Sequence, residues 1–106
     1  MGLRDRRHKL SVKLHEIFDH PDNIYFDPPE SKKLNFPAIV YTRLAVDTIN
    51  ADNRKYLIYD RYQITYIHKD RDDEMVEKIL DLPRCEHDRE FQTNDMYHDV
   101  FTIYVQ

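Results

Sequence analysis

The chain has a single glycine, Gly2, among 106 residues. Phosphate-cradling loops and dinucleotide-binding fingerprints need several glycines where the backbone approaches phosphate, so this scarcity argues against nucleotide-dependent enzymes. Cysteine is equally scarce, since Cys85 is the only one. The chain therefore cannot form an internal disulfide, which indicates a reducing compartment. No stretch approaches the ~20 apolar residues of a membrane-spanning helix. We therefore expect a soluble protein with no membrane association.

The first eight residues contain no apolar signal core, and Arg6 stands where a myristoylation motif has Ser or Thr. Nothing in them directs secretion. The length fits one domain, 1–106, with a modest core of its own.

Charge is divided unevenly along the chain. Residues 1–69 carry 12 basic and 9 acidic groups, and residues 70–106 carry 4 and 11, which gives net charges of +3 and −7. Opposite charges of this kind favour contacts between neighbouring copies, mainly through specificity and rate of encounter.

The apolar spacing of the first 19 residues predicts a helix from about Leu3 to Asp19. A short strand at 24–26 follows, and then a stiff, proline-containing polar connector. Two long strands come next, joined near Asn50 to Arg54 by residues that tolerate left-handed backbone. A hairpin without glycine, with its tip projecting from the body, and a flexible surface loop both fit this segment. Alternation predicts two sets of core-facing residues. They are Ala38, Val40, Thr42, Leu44 and Val46 on the first long strand, and Tyr62, Ile64 and Tyr66 on the second.

An acidic segment precedes a second helix, with Asp70 or Asp72 as its expected cap and Pro83 after its end. Residues 85–91 then alternate so as to predict a strand with one acidic face, and Asn94-Asp95 turns the chain into a last strand. The predicted fold is α+β, in the order α-β-β-β-α-β-β, with a mostly antiparallel sheet and two helices packed on one face.

Candidate chemical motifs are weak. The segment 27–32 (DPPESK) resembles the acidic elements of metal-dependent nucleases but lies in a connector, and 70–74 lacks the glycine and distant glutamate of an EF-hand. Cys85 and His87 share one side of a strand, with His68 or His98 as further zinc ligands, yet structural zinc sites usually hold more than one cysteine. A Cys-His nucleophile would also need an oxyanion hole. We predict no catalytic residues, no metal and no cofactor.

Two other features bear on partners. The basic segment 4–9 has the charge to contact phosphate but no recognition motif, so sequence-specific nucleic-acid binding is not expected. The chain has eight tyrosines, mostly on or beside the long strands. Tyrosine suits subunit interfaces, although some of these rings belong to the core.

Residues 59–67 (YDRYQITYI), 81–83 (DLP) and 97–104 (YHDVFTIY), together with the order of elements, resemble the tail-terminator and tail-completion proteins of long-tailed bacteriophages and prophages. The resemblance covers nearly the whole chain, through patterns of strands and turns. It implies a virion neck protein, assembled in the bacterial cytoplasm. The protein would form a ring, typically a hexamer, that caps the tail tube, docks to the head connector and lets DNA pass.

Within this hypothesis, seven charged residues are the candidate interface. Arg54 and Lys55 lie at the hairpin tip and are expected to contact the ring axis or a neighbour. The expected bridges between subunits are Arg4, Arg7, Glu86, Asp88 and Glu90. A head-completion or stopper protein of the same neck is the first alternative, and a small metal-dependent nuclease or hydrolase and a regulatory nucleic-acid binder remain open.

Overall fold

The structure is a computed structural model that describes residues 2–106, apart from the side chains of Ala51, Lys55 and Tyr56. Its helices and strands are α1 (Leu3–Ile17), β1 (Ile24–Phe26), β2 (Ala38–Ala51), β3 (Arg54–His68), α2 (Met75–Leu80), β4 (Cys85–Thr93) and β5 (Met96–Val105), with a 3-10 turn at Pro21–Asn23. This order and the α+β class confirm the sequence prediction. Neither described helix is long and apolar enough to cross a membrane.

The strands form one sheet in the order β1-β2-β3-β5-β4. Only β1 runs parallel to its neighbour, pairing Ile24 with Ile39, and the other pairs are antiparallel. The sheet therefore has two edges, a three-residue β1 at one side and the nine-residue β4 at the other.

Both helices pack on one side of the sheet, here called the helix face. Leu10 and Leu14 of α1 and Ile79 of α2 are fully buried there. They contact side chains of the three central strands: Ile39, Tyr41, Tyr62, Ile64, Tyr66, Phe101, Ile103 and Val105. The other side, the open face, has no helix over it in the described part of the chain and carries Gln63, Thr65 and Thr102.

The face of β2 predicted to point to the core is wrong for Val40 and Thr42, although Ala38 on the same side is fully buried. Ile39 pairs with Tyr66 and Tyr41 pairs with Ile64, so Ile39 and Tyr41 point into the core, whereas Val40 points to the open face. Alternation alone could not decide between the faces, because apolar residues occupy both sides of this strand. On β3 the prediction that Tyr62, Ile64 and Tyr66 face the core is confirmed.

Two tight turns without glycine join the antiparallel strands. Asp52 and Asn53 have φ values of 51° and 62°, and Asn94 and Asp95 have φ values of 51° and 61°. Consecutive left-handed residues match the right-handed twist of the flanking strands, and Asn and Asp adopt this backbone more readily than other side chains. The predicted hairpin and the predicted Asn94-Asp95 turn are both confirmed.

Two local predictions need correction. The backbone N–H of Met75 donates to Asp73 Oδ1 at 2.9 Å, so Asp73, and not Asp70 or Asp72, bonds the first turn of α2. The strand β4 also lacks a single acidic face, since its register shifts between His87 and Arg89. A β-bulge of this kind reverses the alternation that follows it.

Candidate functional site

The β2-β3 hairpin extends past the rest of the sheet. Asp60 pairs with Val105, the last residue of β5, and residues 47–59, here called the arm, pair only within the hairpin. The β3 part of the arm spans roughly 20 Å at ~3.3 Å per residue. The whole molecule is accordingly elongated, with extents of 51 × 25 × 24 Å.

Apolar side chains lie exposed on both sides of the arm. Ile49 is 46% exposed and points to the open-face side, whereas Ile58 is 39% exposed and points to the other side. None of the described arm side chains belongs to the hydrophobic core. The arm is thus a two-stranded ribbon whose apolar residues have no core of their own to cover them.

A groove of about 570 Å³ lies where the arm leaves the body. Ile49, Leu57 and Tyr59 line it from the arm, and the ends of β4 and β5 supply its other wall: Arg84, Cys85, Glu86, Tyr104 and Gln106. The rings of Tyr59 and Tyr104 meet edge to face, with centroids 5.8 Å apart. The groove combines apolar and aromatic surface with one acidic and one basic group.

The outer edge of β4 is exposed along its length. From Glu86 to Thr93 every residue is exposed, and β5 is the strand's only partner in the sheet. Glu86 pairs with Thr102 and lies on the open face, whereas Glu90 pairs with Asp99 and lies on the helix face. Asp88 bonds Thr102 across the strands. Acidic groups therefore flank this edge on both faces.

The predicted interface residues occupy separate parts of the molecule. Arg54 is exposed at the arm tip, and the side chain of Lys55 lies outside the described residues. Arg4 is exposed in the first turn of α1, and the guanidinium of Arg7 stacks on the ring of Phe26 at 4.9 Å. No ion pair among the described residues joins Arg4 or Arg7 to Glu86, Asp88 or Glu90.

The tyrosine side chains that the structure describes include both core and groove residues. Tyr41, Tyr62 and Tyr66 are at most 5% exposed and belong to the core, whereas Tyr59 and Tyr104 line the groove.

The open face also holds two buried nitrogens without a hydrogen-bond partner in the described structure, Arg61 Nε and His98 Nδ1.

Sequence reasoning missed a buried ionic cluster around Asp60. Its carboxylate is fully buried and accepts bonds from Arg6 at 2.9 Å, Arg43 at 3.2 Å and the Tyr62 hydroxyl at 3.0 Å. A second Arg43 nitrogen donates to the carbonyl of Leu3. These contacts attach the start of α1 to the sheet next to the arm.

A second buried cluster lies at the opposite end of the sheet. Asp99 accepts bonds from His68 Nε2 at 2.6 Å and from His87 Nε2 at 2.8 Å. Nδ1 of His68 lies 2.7 Å from the carbonyl oxygen of Asp70, so both nitrogens of this ring face oxygen acceptors. The cluster connects β3, β5 and β4 and fixes the loop before α2.

The residues that suggested a zinc site or a nucleophile, Cys85 and His87, do not contact each other in a shared site. Although Cys85 and His87 share the helix-face side of β4, His87 is bonded to Asp99, and no group of three or more potential ligands gathers around a metal position within the described residues. Burial, together with the nearby carboxylates of Asp88 and Glu86, raises the pKa of the Cys85 thiol to about 12. A thiol with this pKa carries almost no thiolate at neutral pH.

The segments that suggested nuclease and calcium sites also have structural contacts. Asp27 accepts a hydrogen bond from the Thr42 hydroxyl, and Asp70 accepts one from the backbone N–H of Asp72. The surfaces left to account for are therefore the arm, the groove and the β4 edge.

No protein-family model matches the chain, and no curated protein matches it closely enough to count as a relative.

Proposed function

We propose that the protein is a structural subunit that assembles with copies of itself into a ring, as a tail terminator in the neck of a long-tailed bacteriophage. The observation that carries this proposal is the arm, residues 47–59, which extends beyond the sheet with exposed Ile49 and Ile58. The resemblance of residues 59–67 and 97–104 to tail-terminator proteins supplies the choice among assemblies.

The energetics of the arm support a role in assembly. An isolated two-stranded hairpin is marginally stable in water, because it has no third strand and no packed layer to cover its apolar side chains. Burying a side chain such as Ile49 or Ile58 contributes about 1.5–3 kcal/mol. A partner that covers both faces of the arm would thus order it and gain free energy from surface that the monomer leaves in water.

The distribution of charge supports contacts between two different patches. Arg4 lies at the start of α1, which bonds through Leu3 to Arg43 on β2, whereas Glu86 and Glu90 lie on β4 at the far edge of the sheet. A contact that joins two different patches repeats around an axis and closes into a ring when the rotation permits. In a ring of this kind, Arg4 and Arg7 of one copy face acidic residues of the next.

In the proposed role the ring is a hexamer that caps the finished tail tube and presents its other side to the head connector. Its partners are the tail tube protein and the head-completion protein, and DNA passes through its centre. The proposal assigns no catalytic residue, metal or cofactor to the chain. The ring acts through its shape and its surfaces.

Electron microscopy of the purified protein tests the proposal, together with sedimentation across a concentration series, alone and with polymerised tail tube protein. We expect closed rings with a central hole, or caps at one end of the tubes. A protein that stays monomeric at high concentration and leaves the tube ends bare would contradict the ring. Binding to portal rings instead of tubes would assign the chain to head completion.

A further inference from the structure

The arm has a free strand edge beside the groove. β5 ends at Val105 opposite Asp60, but β3 begins six residues earlier, at Arg54. Over residues 54–59, β3 therefore pairs with β2 on one side and with no strand on the other. Unpaired backbone groups on an exposed strand edge are a template for a strand of another chain.

The outer edge of β4 is another long unpaired edge of the sheet, besides the edge of β2 beyond Tyr41, where pairing with β1 ends. It spans Cys85–Thr93, nine residues, which exceeds the six free residues of β3. Natural edge strands that stay unpaired are usually short, charged or interrupted by a bulge. β4 carries charged side chains and a bulge between His87 and Arg89, but its regular part from Arg89 to Thr93 still offers five residues to the free edge of β3.

Charge selects between the possible pairings of these edges. Residues 54–59 contain two basic residues and no acidic residue, whereas residues 85–93 contain three acidic residues and one basic residue. Two β3 edges facing each other would bring like charges together, and so would two β4 edges. The free part of β2, residues 42–51, carries one basic and one acidic residue and so has no net charge. Between the β3 and β4 edges, only the mixed pairing joins opposite charges, and like charges directly opposite each other on paired strands are destabilising.

The groove provides the room that an added strand needs. It lies next to the free β3 edge, and Leu57, Tyr59 and Tyr104 line it with apolar and aromatic surface. A strand that continued the line of β5 past Val105 would place alternate side chains over these residues. Main-chain bonds would then supply affinity, and the lining of the groove would supply specificity.

We infer that the free β3 edge, residues 54–59 of one copy, pairs with the outer β4 edge, residues 85–93, of a second copy, so that the sheets of neighbouring copies join edge to edge. The inference rests on the proposed ring and names the contact that builds it. Because the two edges differ, each copy offers one edge to each neighbour, and the contact repeats around the assembly.

Complementary charge variants test this contact. The first variant carries Arg54→Glu and keeps the native β4, and the second carries Glu86→Lys with Glu90→Lys and keeps the native arm. Each alone places like charges across the contact, so we expect its assembly to weaken by 10-fold or more. An equal mixture restores assembly, because each alternate contact then joins opposite charges. Lys32→Glu and Glu30→Lys in the exposed connector are the matched controls and leave assembly unchanged.

Hydrogen exchange of the wild-type protein, compared between dilute and assembled samples, gives an independent measurement. We expect assembly to slow exchange in both 54–59 and 85–93. The edge pairing is overturned if rings form without protection in these segments, or if both charge variants assemble as the wild type does. Either result leaves the proposed ring intact. Absence of any wild-type assembly, alone or on tail tubes, overturns both. Thermal unfolding verifies that each variant is folded before it is compared.

Discussion

Arg6 Nε donates a 2.9 Å hydrogen bond to Asp60 Oδ1 and so joins α1 to the centre of the sheet. Arg6 is 4% exposed and Asp60 is fully buried. The other carboxylate oxygen accepts bonds from Arg43 and from the hydroxyl of Tyr62. One buried carboxylate therefore accepts hydrogen bonds from two guanidinium groups beside the base of the arm.

Replacing Asp60 tests this balance. Asp60→Asn removes the negative charge and leaves two guanidinium groups without it, so we expect the free energy of unfolding to fall by about 3–5 kcal/mol. Urea denaturation measures the loss. Asp22→Asn, an exposed change of the same chemistry, is the control and should stay within about 0.5 kcal/mol. A loss below about 1 kcal/mol for Asp60→Asn would show that the cluster contributes little.

The carboxylate of Asp99 offers a similar test at the other end of the sheet. Asp99→Asn replaces an acceptor shared by His68 and His87 with an amide, so we expect a loss of about 3 kcal/mol. The nitrogen chemical shifts of both imidazole rings should change as well. Asp95→Asn is the control, because Asp95 is exposed at φ 61°, a conformation that asparagine adopts readily. Unchanged histidine spectra would contradict the shared contact.

Much of the fold is predictable from local patterns. The strand at 24–26 and the left-handed turns at Asp52-Asn53 and Asn94-Asp95 follow from residue types within a few positions of one another. The face of β2 that points to the helix-face core was predicted wrongly, because both faces of this strand carry apolar residues. The bulge after His87 was missed, since no glycine or proline marks it.

The buried clusters and the groove depend on tertiary structure. Arg6 and Asp60 are 54 positions apart, and in the sequence Arg6 is one of several basic residues on the first turns of a helix. The signal that was available is the aspartate on β3, which falls on the same side of the strand as Tyr62 and Ile64. A carboxylate on a core-facing position requires a charged partner, but only the fold identifies that partner.

Buried tyrosines predict a loss of stability at alkaline pH. Burial raises the pKa of Tyr62 to about 12, and burial with a hydrogen bond to Asp73 raises the pKa of Tyr66 as well. Because ordinary tyrosines titrate near 10, the stability that these neutral phenols contribute is complete below about pH 10 and is lost as the pH rises towards 12. We expect the melting temperature to fall over that interval, together with the rise of phenolate absorbance.

A variant separates the two parts of this prediction. Tyr66→Phe removes one hydroxyl whose pKa is raised, so the melting temperature of this variant should fall less steeply above pH 10 than that of the wild type. Tyr59→Phe, a change in the half-buried groove, should keep the wild-type slope. Equal slopes for all three proteins would contradict a contribution from Tyr66.

The thiol of Cys85 should react slowly. Its pKa of about 12 leaves far less thiolate at pH 8 than an ordinary cysteine has, so alkylation of the folded protein should be slower by roughly 100-fold or more than that of the unfolded chain. Cys85 is the only cysteine, and mass spectrometry of the intact protein therefore measures the rate directly. Equal rates in urea and in buffer would mean that the folded thiol is accessible and that its pKa is not raised.

Ile49 provides the sharpest test of the arm. It is 46% exposed and lines the groove, whereas Val46 is 45% exposed at the base of the arm and points to the other side. Ile49→Thr and Val46→Thr both keep a branched residue in a strand, so each should change monomer stability by no more than about 0.5 kcal/mol. If a neighbouring copy fills the groove, Ile49→Thr alone loses buried apolar surface and raises the dissociation constant of the assembly about 10-fold. If Ile49→Thr leaves the dissociation constant unchanged in sedimentation, the groove side of the arm is not a side that binds.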